Sequence, residues 1–204
     1  MKLDHVVLTI YPEATLLEKV LEDGSRVIHP ISPADLAGQL NRIPLSTGLL
    51  PYNTLFWGQE AGEEQIAIYV PPRQWRPIAY ERHYRLPMPR MVFLGQGRQY
   101  IVFAVKQKPK TPETPLYHLP SPNVDGNGRI CLGQAPFPIA GRKNIYDALK
   151  LFMEGSRFNH DNSRQRCVSF PNNTLDLWAR LDGQKRFPSD ELIPARKQLK
   201  QLMG

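Results

Sequence analysis

The stretch Pro122-Asn123-Val124-Asp125-Gly126-Asn127-Gly128-Arg129-Ile130-Cys131-Leu132 sets a carboxamide and a thiol eight residues apart across two turn dipeptides. Asp125-Gly126 and Asn127-Gly128 turn a chain well, because glycine accepts positive φ and Asx side chains bond nearby backbone. The chain should fold back here and bring the Asn123 amide toward the Cys131 thiol. Ile130 and Leu132 flank that thiol. In an extended segment, the period of two sends them to the core face and Cys131 to the opposite one. An accessible cysteine beside a fixed amide donor suits acyl transfer, the thiolate attacking and the amide stabilising the oxyanion. The competing reading makes Cys131 a packed core thiol, the usual fate of a free cysteine, and Asn123 a turn residue only.

A second polar cluster, Asn159-His160-Asp161-Asn162-Ser163, reads as a loop. Asp161 is either a base or orienting group for an incoming nucleophile or a solvated loop carboxylate. With His160 it also permits a cysteine hydrolase built on Cys131, which needs a histidine within reach of the thiol. Cys167, beside Val168 and Phe170, reads as core packing.

These groups need a scaffold. His5–Ile10 reads as a strand; residues 15–30 suit a helix or a hairpin about Asp23-Gly24, and the β-like Arg26–His29 favours the hairpin. Ser32 suits an N-cap, with Pro33 first in the helix and Leu36 and Leu40 on one face. Residues 42–54 read as a connector. From residue 55 the pattern is a β-meander: Leu55–Gly58, Gln65–Val70, Met91–Leu94 and Tyr100–Val105. Residues 73–90 read as irregular. Gly95-Gln96-Gly97 leads into a strand and not a helix, which weakens a dinucleotide-binding reading. The proline-rich stretch 106–122 reads as a loop outside the sheet. The clearest helix starts at Asn144, its expected cap, with Ile145, Ala148, Leu149 and Phe152 on one face and Gly155 at its end. A second follows on Leu175, Leu177, Trp178 and Leu181, and a third after Pro194 with Leu199 and Leu202. Strands followed by helices point to the α+β class.

The chain has 204 residues, 41% hydrophobic and 22% charged, and a formal charge of +7. That suits a single globular domain with an extension. Its two cysteines make neither a disulfide framework nor a zinc quartet. No apolar run approaches the ~20 residues of a membrane span, and the start lacks a signal-peptide core. A cytoplasmic protein with no membrane contact is expected. The basic residues, such as Lys106, Lys108, Lys110 and Lys185-Arg186, are dispersed. They suit a solvated face first, an acidic protein partner next, and nucleic acid last.

The Asn-turn-Cys segment resembles the active-site segment of the ubiquitin-conjugating enzymes. That family carries His-Pro-Asn, an apolar residue, a glycine turn, then Ile-Cys-Leu, with the same spacing from Asn to Cys. The resemblance covers roughly residues 60–204. Leu116-Tyr117 and the β-rich N-terminal region are further similar to the bacterial group called PRTRC system protein B. It implies the ubiquitin-conjugating (UBC-like) fold: an antiparallel four-strand meander followed by helices over residues 55–204, with residues 1–54 as a β-rich N-terminal extension. It also implies a transferase that takes a ubiquitin-like modifier as a thioester on Cys131 from a ThiF-like activating enzyme. The modifier then passes to an acceptor amine on a protein target, with no metal or organic cofactor. Asn123 matches the residue that orders the loop and stabilises the oxyanion, and Asp161 the first acidic position of a gate loop. Ser121 stands where the family has its bracing histidine, and His118 is three residues away. A catalytically silent scaffold of the same fold is the alternative.

Overall fold

The computed structural model describes residues 2–12, 14–32, 34–36, 48–60, 62–155, 157–158 and 164–203. The chain divides into two compact units, Met1–Gly48 and Leu49–Gly204.

The first unit is an antiparallel sheet of β1 (Leu3–Ile10), β2 (Thr15–Leu21) and β3 (Arg26–Ile31), with β2 central. The hairpin expected about Asp23-Gly24 joins β2 to β3. Gly24 takes φ +79, and the Asp23 carboxylate accepts from both the amide and the hydroxyl of Ser25. These bonds hold the Asp23 pKa below its usual value. The Ser32 hydroxyl accepts from the Asp35 amide at 3.0 Å and so caps a helical turn at 34–36. Leu40 and most of the expected connector lie outside the described residues.

The second unit is built on a six-stranded antiparallel sheet. It comprises β4 (Thr54–Glu60), β5 (Glu63–Val70), β6 (Arg90–Gln96), β7 (Gln99–Val105), β8 (Pro115–Tyr117) and β9 (Pro194–Gln198). The order across the sheet is β9-β8-β7-β6-β5-β4. The inner strands read as unbroken apolar runs because both faces are covered. Ile66, Ile68, Met91 and Phe93 face the larger cluster, with the helices. Ala67, Tyr69, Val92 and Leu94 face a second cluster closed by Leu199 and Leu202.

Helix α1 (Ile145–Lys150) runs into a π-helical turn over Leu151–Gly155, and α2 spans Thr174–Leu181. The expected stripe Ile145, Ala148, Leu149 and Phe152 is buried on the sheet, and Phe152 stacks on Phe93 at 6.3 Å between ring centroids. Asn144 does not cap α1 through its side chain; its Nδ2 donates to the Ile139 carbonyl instead. Asn173 does cap α2, its Oδ1 accepting from the Leu175 amide at 3.0 Å. Antiparallel sheets with few helices place the unit in the α+β class.

Three sequence expectations give way to sheet pairing. Residues 73–90 are not irregular: 73–75 pair with 86–88, and 78–79 pair with both 82–83 and 157–158. The stretch 106–122 is not wholly outside the ladder, since Pro115–Tyr117 form β8. Pro115 opens that strand, where its missing N–H costs least. The helix expected after Pro194 is instead β9, which pairs along β8 through a bulge, with Arg196 at φ +55. Only Leu199–Leu202 turn helically, as a short 3-10 segment.

One buried carboxylate ties the C-terminal region together. Glu191 accepts from the Ser169 amide at 2.9 Å and hydroxyl at 2.6 Å, and pairs with Arg180. Burial opposes its ionisation, but the Ser169 bonds and Arg180 outweigh it, and its pKa falls below the usual glutamate value. A depressed folded-state pKa gives stability that is present above the unfolded value of about 4.5 and lost as pH falls through the folded one. Glu191→Gln should cost about 2 kcal/mol at neutral pH and flatten the acid limb of a Tm-against-pH curve.

Candidate active site

The turn dipeptides form the expected hairpin. Val124 and Ile130 pair as an antiparallel bridge, the Asp125 amide donates to the Arg129 carbonyl at 3.0 Å, and the Cys131 amide donates to the Asn123 carbonyl at 2.8 Å. The Asp125 carboxylate organises the tip, its Oδ1 accepting from the amides of Asn127 (2.7 Å) and Arg129 (2.9 Å). Residues 123 and 131 therefore face each other across the base of a hydrogen-bonded hairpin.

Strand β7 fixes that loop. The Ile130 amide donates to the Tyr100 carbonyl at 3.0 Å, and the Val102 amide donates to the Gly128 carbonyl at 2.8 Å. Gly128 sits at φ +78. A Cβ there would lie 2.6 Å from the Phe103 ring and 2.8 Å from the Val102 carbonyl, so no side chain fits. Alternation holds as the spacing predicts: Ile130 is buried, Leu132 half-buried, and Cys131 exposed. A packed core thiol at Cys131 is thereby excluded. Asn123 is half-buried. Cys167 is the core cysteine, wholly buried, with its thiol donating to the Phe170 carbonyl at 3.1 Å.

Distant residues complete the surroundings. The Trp178 indole N–H on α2 donates to the Pro120 carbonyl at 2.9 Å, fastening the chain just before the loop. Lys197 on β9 donates to Asn127 Oδ1 at 3.2 Å, and the Arg166 guanidinium lies against Gly126. Burial lowers the His118 pKa, and Arg166 and Lys197 lower it further, which favours the neutral imidazole. Ser121 is wholly buried and its hydroxyl has no partner among the described residues. Nothing in the spacing of the sequence marks Arg166 or Lys197 as neighbours of the loop. Trp178 shows there only as an apolar position of a helix.

Asn159, His160, Asp161 and Asn162 lie outside the described residues. The gate loop and the hydrolase arrangement of Cys131, His160 and Asp161 are therefore not among the contacts the structure provides. Among the described residues, no three His, Cys, Asp or Glu side chains cluster to hold a metal, and no helix is long and apolar enough to cross a membrane.

Trp178→Phe keeps the ring packing on Tyr84 and Phe158 and removes one buried hydrogen bond. The free Pro120 carbonyl should cost about 1–2 kcal/mol, read as a fall in Tm of a few degrees.

No curated protein and no solved structure matches the chain. One family model does, over residues 36–195, a span that takes in β4 to β8, the Asn123–Cys131 hairpin and both helices. The chain belongs to Prokaryotic E2 family D, a family that points to a ubiquitin-conjugating-like role.

Proposed function

We propose that the protein carries a ubiquitin-like modifier as a thioester on Cys131 and passes it to an amine. The observation that carries this reading is an exposed thiol at the base of a hairpin locked to the sheet, opposite Asn123, in a chain of this family. In the first step the Cys131 sulfur forms a bond to the modifier's C-terminal carbonyl carbon. The carbon–sulfur bond to a ThiF-like activating enzyme breaks, and that enzyme's thiolate leaves. In the second step an acceptor amine forms the carbon–nitrogen bond, the Cys131 thiolate leaves, and the amine's extra proton goes to a base.

The thiolate is the attacking form of a cysteine, and an already activated acyl donor asks little of it. An amine near ~10.4 is mostly protonated, which is where Asp161 acts, as base or by orienting the nucleophile. Asn123 supplies an oxyanion donor, a contribution on the order of 3–4 kcal/mol. The fold would be UBC-like over residues 55–204, with residues 1–54 as the extension. The narrower likeness to PRTRC system protein B, and a cytoplasmic place of action, belong to the same reading.

A catalytically silent scaffold of the same fold is the second reading. It is favoured by Ser121, which stands where the family has its bracing histidine and whose hydroxyl has no partner among the described residues. The two part on one experiment. The protein is incubated with a ThiF-like activating enzyme, a ubiquitin-like protein and ATP, and run on denaturing gels with and without thiol reductant. A reductant-sensitive adduct of wild type, absent from Cys131→Ala, is the outcome for the enzyme. No adduct with an activating enzyme that itself charges would leave the scaffold.

A further inference from the structure

A cavity of about 470 Å³ opens beside the strand-ladder arm of residues 73–88, and the proposed chemistry does not use it. Arg73, Arg90, Lys185 and Arg186 line it, with Met88 and Phe187 among its apolar walls. None of the described residues lining it carries a carboxylate.

The walls are preformed. Arg73 lies 3.4 Å over the Trp75 ring, and Arg90 donates to the Lys106 carbonyl, which fixes both side chains from one side. The segment bearing Lys185 and Arg186 is tied to the arm by three bonds. Gln74 Nε2 donates to the Gln184 carbonyl at 2.8 Å, the Gly183 amide to the Arg85 carbonyl at 2.9 Å, and the Arg85 amide to Asp182 Oδ1 at 2.8 Å. Of the carboxylates close by in sequence, Asp182 pairs with Arg82 and Glu191 with Arg180, while Asp190, next to the lining residue Ser189, is exposed.

Four cations line the concave site and no carboxylate does among the described residues, which leaves a positive potential that selects an anionic ligand. Three of them are arginines, whose planar forks match carboxylates. The apolar walls argue for a ligand with apolar groups as well as charge, and so for a peptide over a bare anion. A nucleic acid would call for a groove that tracks its backbone and several stacking aromatics. Phe187 is the one aromatic among the described lining residues. The site also stands apart from the thiol. Val105 lines it, and lies about 17 Å along β7 from Tyr100, which binds the cysteine hairpin.

The geometry points to a docking site for a short acidic segment of a partner protein, carboxylates on the arginines and lysines and an apolar side chain between Met88 and Phe187. The assignment depends on neither Cys131 nor thioester chemistry.

The test is fluorescence anisotropy of a fluorescein-labelled peptide of alternating Glu and Leu, titrated with the full chain. The variants are Lys185→Glu/Arg186→Glu and, as a control of equal charge change, Lys108→Glu/Lys110→Glu. All four side chains are exposed, so neither variant disturbs the core. Wild type should bind. The 185/186 variant should bind about tenfold more weakly or worse, and the 108/110 variant within about twofold of wild type. A heptaglutamate peptide should bind more weakly than the Glu-Leu peptide. No binding, equal weakening by both variants, or full binding by the 185/186 variant overturns the site. Tighter binding of a single-stranded oligonucleotide, or displacement of the peptide by millimolar inorganic phosphate, overturns the choice of a peptide.

Discussion

Cys131→Ser should convert the adduct from one that thiol reductant cleaves to one that survives reductant and is cleaved by mild alkali. Cys131→Ala should abolish it. The hydroxyl keeps the place of the thiol on the hairpin, so the acyl group is still delivered. An alkoxyl oxygen is the weaker nucleophile, so the serine ester forms more slowly; an ester also resists thiol exchange better than a thioester does. The position is exposed, so neither substitution disturbs the core, and both variants should melt within about 0.5 kcal/mol of wild type. Intact-protein mass spectrometry with and without reductant reads the result. An adduct of wild type that persists in Cys131→Ala would move the chemistry to another residue, and Cys167 is too deeply buried to receive it.

Gly128→Ala should be the most damaging single methyl in the loop. The left-handed conformation at φ +78 costs a side chain roughly 1–2 kcal/mol by itself. The new Cβ would also press on the Phe103 ring and the Val102 carbonyl, for a further ~1–3 kcal/mol. Phe103 is wholly buried within the sheet and cannot yield cheaply. The other way to relieve the clash is for the hairpin to leave β7, which breaks the bond from Val102 to Gly128 and loosens the one from Ile130 to Tyr100. A total of about 3 kcal/mol corresponds to a fall in Tm of roughly 6–12 °C for a chain of this size. Adduct formation should fall with it, since the thiol loses its place. Gly126→Ala is the contrast. Its Cβ would meet only the end of the Arg166 side chain, at 2.9 Å, which can move aside at small cost.

The cysteine hairpin was legible in the sequence because its determinants are local. Two Asx-Gly pairs, an Asn and a Cys eight residues apart, and apolar flanks at period two specify a fold-back with an outward thiol, and the structure bears each of these out. The meander strands and the buried stripe of α1 were legible for the same reason: their periodicity lies within a few residues. The segments misread are those whose state depends on a partner strand far along the chain. Pro115–Tyr117 looks like a proline loop and becomes β8 because β7 and β9 flank it. Residues 194–198 look like a helix start and become β9 because β8 offers an unpaired edge. Asn144 looks like a cap, but the Ile139 carbonyl takes its amide.

By itself, then, the sequence determined the turn, the outward thiol and the alternating core of the central strands, all set by interactions between near neighbours. The tertiary structure alone decided what holds the loop and what surrounds it. Trp178 reaches the Pro120 carbonyl from 58 residues away, Lys197 reaches Asn127 from 70, and Phe103 leaves room only for glycine at 128. Such contacts carry no period and no motif, because they arise only when separate elements pack against one sheet.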